Sequence, residues 1–199
     1  MKSQALVYFP FDHLSSAQRE LGLEIFPKLK TMHEERIKGF LTARLALLEA
    51  FGRLGLNLEL KDLEFMELNH LPKYKEFSFS LSHSNYQSQT VAGAFLSVGV
   101  KRVGFDLEWS KRKLKEGSER YFVREDDSYE NLLELWCLKE AAFKSISSQF
   151  SPGLLLKDLW VKENQFGHFE NDLKVLGEVK LEKVIFLEDE LLLATAQSN

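Results

Sequence analysis

The chain has 199 residues, of which 44% are hydrophobic and 28% charged, and its formal net charge is −4. This composition is ordinary for a soluble globular protein of one or two domains, and the acidic balance argues against general binding to nucleic acid. The single cysteine, Cys137, excludes an intramolecular disulfide. Because the sequence has neither a signal-peptide stretch nor an apolar run of membrane-spanning length, we expect a cytoplasmic protein that does not bind membranes.

The sequence pattern in the first half of the chain predicts one long helix between short strands. Apolar residues recur at helical spacing through residues 33–54, and Gly52 and Gly55 mark the end of that pattern. A partly helical segment is expected over residues 14–29, interrupted by Pro27. The predicted strands of this half are 4–9, 63–68, 77–84 and 90–98.

The second half repeats this order with one clear helix, predicted over residues 132–146. The charged stretch 111–115, followed by Gly117, is typical of a solvated loop. The predicted strands of this half are 102–109, 159–163, 165–169, 179–187 and 191–196. Because the helices are too few for a parallel α/β sheet, the order of elements favours the α+β class.

Acidic residues of the segment 103–108 fall on one side of a predicted strand. Asp106 and Glu108 lie two positions apart, so both point away from the side taken by their apolar neighbours. In the second helix, Glu140 and Lys144 lie one turn apart on the same face. Three carboxylates offer the oxygen ligands that Mg²⁺ prefers, and a lysine beside them suits a phosphate group. The pattern indicates phosphoryl chemistry on a metal-bound diphosphate.

Several segments of the chain resemble the sequence motifs of one known family. Val-Gly-Phe-Asp-Leu-Glu at 103–108 resembles a Val/Ile-Gly-Ile/Val-Asp-x-Glu strand, and 136–144 resembles a Trp-x-x-Lys-Glu-Ala/Ser-x-x-Lys helix. Residues 79–84 resemble a Phe-x-x-Ser-His-Ser strand end, 42–45 an N-terminal arginine helix, and 120–122 an Arg-Phe-Phe stretch. Together and in this order, these segments resemble the 4'-phosphopantetheinyl transferase superfamily, within it the larger, surfactin-synthetase-activating (Sfp) type.

The resemblance implies an enzyme that moves the phosphopantetheine arm of coenzyme A to a serine of an apo acyl or peptidyl carrier protein, releasing 3',5'-ADP. It implies Mg²⁺, with Mn²⁺ possible, and coenzyme A as co-substrate. It also implies a monomer of two similar α+β subdomains that mimic a dimer, each a long helix packed on a small antiparallel sheet, with the active site at their interface. Residues 1–99 would bind the 3'-phosphate of coenzyme A, and residues 100–199 would carry the metal and catalytic residues.

The same resemblance implies a role for each matching residue. Asp106, Glu108 and Glu140 would be the metal ligands. Glu140, or a water that it holds, would be the general base, with Asp106 and Lys144 also catalytic. Lys144 would neutralise the diphosphate and the leaving phosphate. The residues implied in binding coenzyme A are Arg36, Arg44, Lys73, Ser82, His83 and Lys139.

Within that set, His83 and Arg44 would bind the 3'-phosphate, because arginine presents a planar fork to phosphate oxygens.

The chain departs from the family in two places. The interval between Asp106 and Glu140 is short, which affects a region that holds the carrier in the family. The usual Gly-Lys-Pro is replaced by His-Leu-Pro at 70–72, so that a basic contact to the nucleotide end of coenzyme A is either lost or supplied by Lys73 or Lys75.

Each candidate residue also has a simpler interpretation when it is taken alone. Asp106 and Glu108 could line the solvent face of an edge strand, Glu140 and Lys144 could form a surface ion pair, and His83 could be a turn residue. Two other functions stay open. One is a non-catalytic relative that binds coenzyme A or a carrier protein, and the other is a different metal-dependent phosphotransferase that uses a nucleotide. The absence of a glycine-rich phosphate loop disfavours the latter.

Overall fold

The computed structural model describes residues 4–64, 73–74, 77–87, 89–99, 102–147, 153–170 and 172–198, apart from the side chains of 73–74, 169–170 and 172–175. The chain divides into two units, Met1–Gly99 and Val100–Asn199. Each unit has one long helix and one antiparallel sheet, so the expected α+β class is confirmed. Among the helices in the described ranges, none is long and apolar enough to cross a membrane.

The first unit packs a long helix on a four-stranded sheet. Its helices are α1 (Ser16–Ile25) and α2 (Glu34–Arg53). Its strands are β1 (Gln4–Pro10), β2 (Lys73–Tyr74), β3 (Phe77–Tyr86) and β4 (Gln89–Val98). They pair antiparallel in the order β1-β4-β3-β2.

Helix α2 follows from the apolar spacing of its sequence. Ile37, Leu41, Leu47 and Phe51 are buried in one core with apolar residues of β1, β3 and β4. Two glutamates in the first turn and an arginine in the last complement the helix dipole. Helix α1 begins with a capping box, in which the hydroxyl of Ser15 and the side chain of its N3 residue satisfy each other's backbone N–H groups.

The partly helical segment expected over 14–29 is confirmed, with its interruption at Pro27. Helix α1 ends at Ile25, and Pro27–Thr31 forms a separate 3₁₀ helix. Proline at the first position of that helix lacks the N–H that a continuing α-helix would require. The strand expected over 63–68 is wrong at its start, since Leu63 ends the 3₁₀ helix Leu60–Leu63. Residues 65–68 lie outside the described residues.

The second unit packs α3 (Leu132–Ile146) on a five-stranded antiparallel sheet. Helix α3 and the strand Arg102–Trp109 have the bounds that the sequence predicts. The strands expected over 179–187 and 191–196 begin earlier, at Asp172 and Asp189. The strands are β5 (Arg102–Trp109), β6 (Leu159–Lys162), β7 (Gln165–Glu170), β8 (Asp172–Phe186) and β9 (Asp189–Ser198). Their order in the sheet is β5-β9-β8-β7-β6.

Helix α3 lies unusually close to β5 at Gly104. A Cβ atom built on Gly104 would stand 1.8 Å from the carbonyl oxygen of Ala141 and 2.8 Å from the backbone nitrogen of Ser145. Only glycine leaves room for this approach of the helix backbone. Because alternate residues of a strand share a face, Asp106 and Glu108 point to the same side of β5 as Gly104, toward α3.

We expect Gly104→Ala to lower the free energy of unfolding by about 2–4 kcal/mol, because the added methyl group must push α3 away from β5. Urea denaturation measures the change. The matched control is Gly52→Ala in α2, where a Cβ meets nothing within 4 Å. That substitution should raise stability by about 0.5–1 kcal/mol. Equal stability of the two variants would contradict the close approach.

Candidate functional site

The helix that carries half of the candidate site is fixed at its start and along its buried face. The side chain of Asn131 accepts a hydrogen bond of 3.0 Å from the backbone N–H of Glu134, which caps α3. Leu135, Leu138 and Ala142 are buried in the core of the second unit. This anchoring presents the next face of the helix, with the two charged candidates, to β5.

Asp106 and Glu108 are buried, with relative exposures of 5% and 4%. An edge strand with a solvated acidic face would leave such side chains exposed, so the simpler interpretation of these two residues does not apply. Burying a carboxylate without compensation is costly, and both groups therefore need positive partners. The structure supplies one from α3 and one from the turn after β5.

Lys144 of α3 is the partner of Asp106. Its Nζ donates to Asp106 Oδ1 at 2.8 Å and to the carbonyl oxygen of Phe105 at 3.0 Å. Burial disfavours the charge of Lys144, but the carboxylates of Asp106 and Glu140 outweigh that cost, so the pKa of Lys144 lies above its ordinary value. The ammonium group is therefore charged at neutral pH and held beside the strand.

Arg112 is the partner of Glu108 and was not singled out from the sequence. Its Nη1 forms an ion pair with Glu108 Oε1. The N–H of Arg112 donates to the carbonyl oxygen of Trp109 at 2.9 Å, which makes a tight turn directly after β5 and brings the guanidinium back over the strand. In the sequence, Arg112 is one of several cations in a basic stretch. It is distinguished from the others only by the chain reversal, which the sequence alone does not reveal.

Glu140 is the third carboxylate and is partly buried. Its pKa is raised, first by burial and then by the negative charges of Asp106 and Glu108, while Lys144 and Arg112 act in the opposite direction. A carboxylate whose pKa moves up toward neutral pH becomes a better general base. The three acids and two cations thus form one electrostatically coupled cluster on β5, α3 and the turn after β5.

Cys137 lies on α3 beside this cluster and is fully buried. Burial raises the pKa of its thiol well above the ordinary value, and the charges of Asp106 and Glu108 raise it further. The group is therefore a neutral thiol at physiological pH, and a neutral thiol is a poor nucleophile and a poor metal ligand. Cys137 is therefore a packing residue in the core of the second unit.

The acidic cluster fits a hard divalent cation by its chemistry but is internally paired as it stands. Within the described ranges, no three His, Cys, Asp or Glu side chains are arranged to hold a metal ion. The donor set nevertheless consists of carboxylates, the ligands that Mg²⁺ takes together with substrate oxygens and water. Lys144 is paired with Asp106 and Arg112 with Glu108, and this pairing accounts for the contrast between suitable ligand types and the missing metal-binding arrangement.

Lys139, which the resemblance implies in binding coenzyme A, has a fully buried side chain with three protein partners. Its Nζ lies 2.6 Å from Asp127 Oδ2 and donates to the carbonyl oxygens of Phe122 and Leu159 at 2.5 and 2.8 Å. Asp127 also accepts the backbone N–H of Val161 at 2.9 Å. Burial lowers the pKa of Lys139, and Asp127 opposes that shift. These contacts tie the segment before α3 to β6 and fix the helix turn that carries Glu140.

Arg44 in the first unit is buried as well, at 3% exposure. Its guanidinium carbon stands 3.2 Å from the centroid of the Phe40 ring and 5.4 Å from that of Phe26, and Nη1 donates to the carbonyl oxygen of Phe40 at 3.2 Å. Burial lowers its pKa to about 9. Among the residues described, Arg44 forms no ion pair with a carboxylate. A buried cation without a counter-ion favours an anionic ligand.

The other candidates of the first unit lie on three different elements. The imidazole of His83 packs on the helix backbone, since a Cβ on Gly39 would stand 2.8 Å from His83 Cδ2. Arg36 is exposed and lies three residues before Gly39 in α2. Ser82, which precedes His83 in β3, is buried. The structure thus places His83 against α2, while Arg44 points to the two phenylalanine rings. Lys73 belongs to β2, and its side chain is outside the described residues.

Comparison of the chain with protein-family models and with curated proteins finds no match in either. The family resemblance described above therefore depends on the motif residues themselves.

We expect Lys139→Met to lower the free energy of unfolding by about 3–5 kcal/mol, because it leaves the carboxylate of Asp127 buried without its cation. Thermal and urea unfolding measure the loss. The matched control is Lys157→Met, which removes an exposed lysine and should change stability by less than about 0.5 kcal/mol. If Lys139→Met proved as stable as the control, the buried pair would not anchor α3.

Glu140→Gln should stabilise the protein by about 0.5–2 kcal/mol at neutral pH, since it removes a negative charge from a buried acidic cluster. The pKa of Glu140 in the folded state lies above its ordinary value of 4.5, so the native protein loses stability as pH rises through that window. The variant should lack this loss, and its advantage should vanish below the ordinary pKa. Melting temperature against pH tests this, with the exposed Glu130→Gln as the control that should follow the native curve.

Proposed function

We propose that this protein transfers the 4'-phosphopantetheine arm of coenzyme A to a serine of an apo acyl or peptidyl carrier protein, releasing 3',5'-ADP, in a reaction that depends on Mg²⁺ or Mn²⁺. One observation carries the proposal. Asp106 and Glu108 of β5 lie in one buried cluster with Glu140 and Lys144 of α3, although the two segments are far apart in the sequence. This is the set of residues that the family motifs supply.

The chemistry of each group supports the assigned role. Asp106, Glu108 and Glu140 would hold the divalent cation, which when bound neutralises charge on the diphosphate. Glu140, directly or through a water, would take the proton of the carrier serine as its oxygen attacks the phosphorus. Lys144, charged and fixed beside the strand, would stabilise the negative charge that develops on the leaving phosphate.

The first unit would recognise the nucleotide end of coenzyme A. Arg44 supports this through its buried guanidinium without a carboxylate partner in the part of the chain described. His83, Ser82, Arg36 and Lys73 stay predictions for the same role, and Lys139 stays one from the resemblance, although its contacts suit the anchoring of α3 better. That the two units act as a pseudo-dimer with the active site at their interface, as a cytoplasmic monomer, is likewise a prediction of the resemblance.

The alternative is a non-catalytic relative that binds coenzyme A or a carrier protein. The pairing of Asp106 with Lys144 and of Glu108 with Arg112 favours it, because each of these carboxylates already has a cationic side chain as a partner. A binding module has no need of a general base, however, and Glu140 lies in one electrostatically coupled cluster with Asp106, Glu108 and Lys144.

The decisive experiment is the intact mass of an apo carrier protein after incubation with this protein, coenzyme A and Mg²⁺, with EDTA as the control. The enzyme should add one phosphopantetheine group in a metal-dependent manner. Asp106→Asn and Glu140→Gln should each reduce the rate by about 100-fold or more, because each removes a group that acts on the reacting atoms. Glu130→Gln, which alters an exposed acid, should retain full activity.

Several carriers must be tried, since fatty-acid, polyketide and nonribosomal-peptide carriers are all candidates. Tight binding of coenzyme A without mass gain on any of them would establish the binding module instead. Full activity of Asp106→Asn or Glu140→Gln would refute the assignment of these residues even if transfer occurs.

A further inference from the structure

The acidic cluster is closed by two cations that are held very differently. Lys144 is mostly buried, with a side-chain exposure of 20%, and its Nζ has two hydrogen-bond acceptors on β5. Arg112 has a side-chain exposure of 39%, and it lies on a turn outside the sheet. A partly exposed guanidinium regains water readily when it leaves its partner, whereas a buried, doubly bonded ammonium does not.

The charges of the cluster nearly balance as it stands. Three carboxylates, when ionised, face Lys144 and Arg112, so one negative charge remains. Without Arg112 the cluster would carry two negative charges and would attract a divalent cation more strongly. Arg112 and a divalent cation would therefore compete for the negative charge of Glu108.

We propose that Arg112 is an internal counter-ion of Glu108 that competes with a divalent cation for this carboxylate, and that Arg112 thereby sets the cation affinity of the site. The proposal depends on the metal-binding role given to the carboxylates above. It explains why the cluster has the carboxylate ligands that a hard cation prefers, although the described residues contain no preformed metal site.

The test measures Mn²⁺ binding to the purified protein without coenzyme A or carrier, from the free-ion signal in electron paramagnetic resonance. Arg112→Gln removes the counter-ion and should lower the Mn²⁺ dissociation constant roughly three- to tenfold relative to the native protein. Arg112→Lys keeps the charge and should stay within about twofold of the native value. Circular dichroism and melting temperature verify that each variant is folded.

Lys111→Gln is the matched control. It removes the same charge one residue earlier, from an exposed lysine that is paired with Asp189. Its dissociation constant for Mn²⁺ should stay within about twofold of the native value, because an exposed charge is screened by solvent and salt. Equal tightening in Lys111→Gln and Arg112→Gln would overturn the proposal, since a general charge effect would then explain both.

The outcomes separate this inference from the proposed function. Unchanged or weaker Mn²⁺ binding by Arg112→Gln overturns the role of Arg112, and phosphopantetheine transfer by the native protein would then still support the enzyme. Tighter binding by Arg112→Gln alone supports the counter-ion, even if no carrier is modified. Absence of Mn²⁺ binding in every variant overturns the inference and the metal site together, whatever the carrier assay gives.

Discussion

The candidate site depends on the close approach of α3 to β5 at Gly104. Helix and strand come near enough there that a side chain at residue 104 would collide with the helix backbone. At this separation the ammonium group of Lys144 on α3 reaches the carboxylate of Asp106 on β5. The glycine of the Val-Gly-Phe-Asp-Leu-Glu motif is thus a packing requirement, and the acidic residues after it depend on that packing for their partner.

The second constraint is electrostatic. Asp106 and Glu108 are buried, and a buried carboxylate must have compensation. Lys144 and Arg112 provide it, one from the helix and one from the turn after the strand. Glu140 is compensated less completely, as the upward shift of its pKa indicates. The fold therefore stores an unfavourable interaction at the group that the proposed reaction needs as a base, which is a common cost of function.

The sequence predicts those parts of the structure that local periodicity determines. Helix α3 and strand β5 have the predicted bounds, and the acids and Lys144 that the motifs single out do come together. Arg112 was missed because its role follows from a chain reversal, and sequence spacing does not show where a loop residue returns. The burial of Lys139 was missed for a similar reason, since its partner Asp127 lies in a segment without periodicity. Long-range polar pairs are specified by tertiary packing, which no local pattern encodes.

The two units hold charge in opposite ways, and this contrast is the physical argument for the proposed substrate. The second unit concentrates three carboxylates against two cations, an arrangement that favours a cation. The first unit buries Arg44 between aromatic rings, without an ion pair to any carboxylate in the described ranges, which favours an anion. A nucleic-acid surface would require a broad basic patch, and a nucleotide kinase would require a phosphate loop. A compact ligand that carries one phosphate apart from a metal-bound diphosphate needs one site of each kind, and coenzyme A has that distribution of charge.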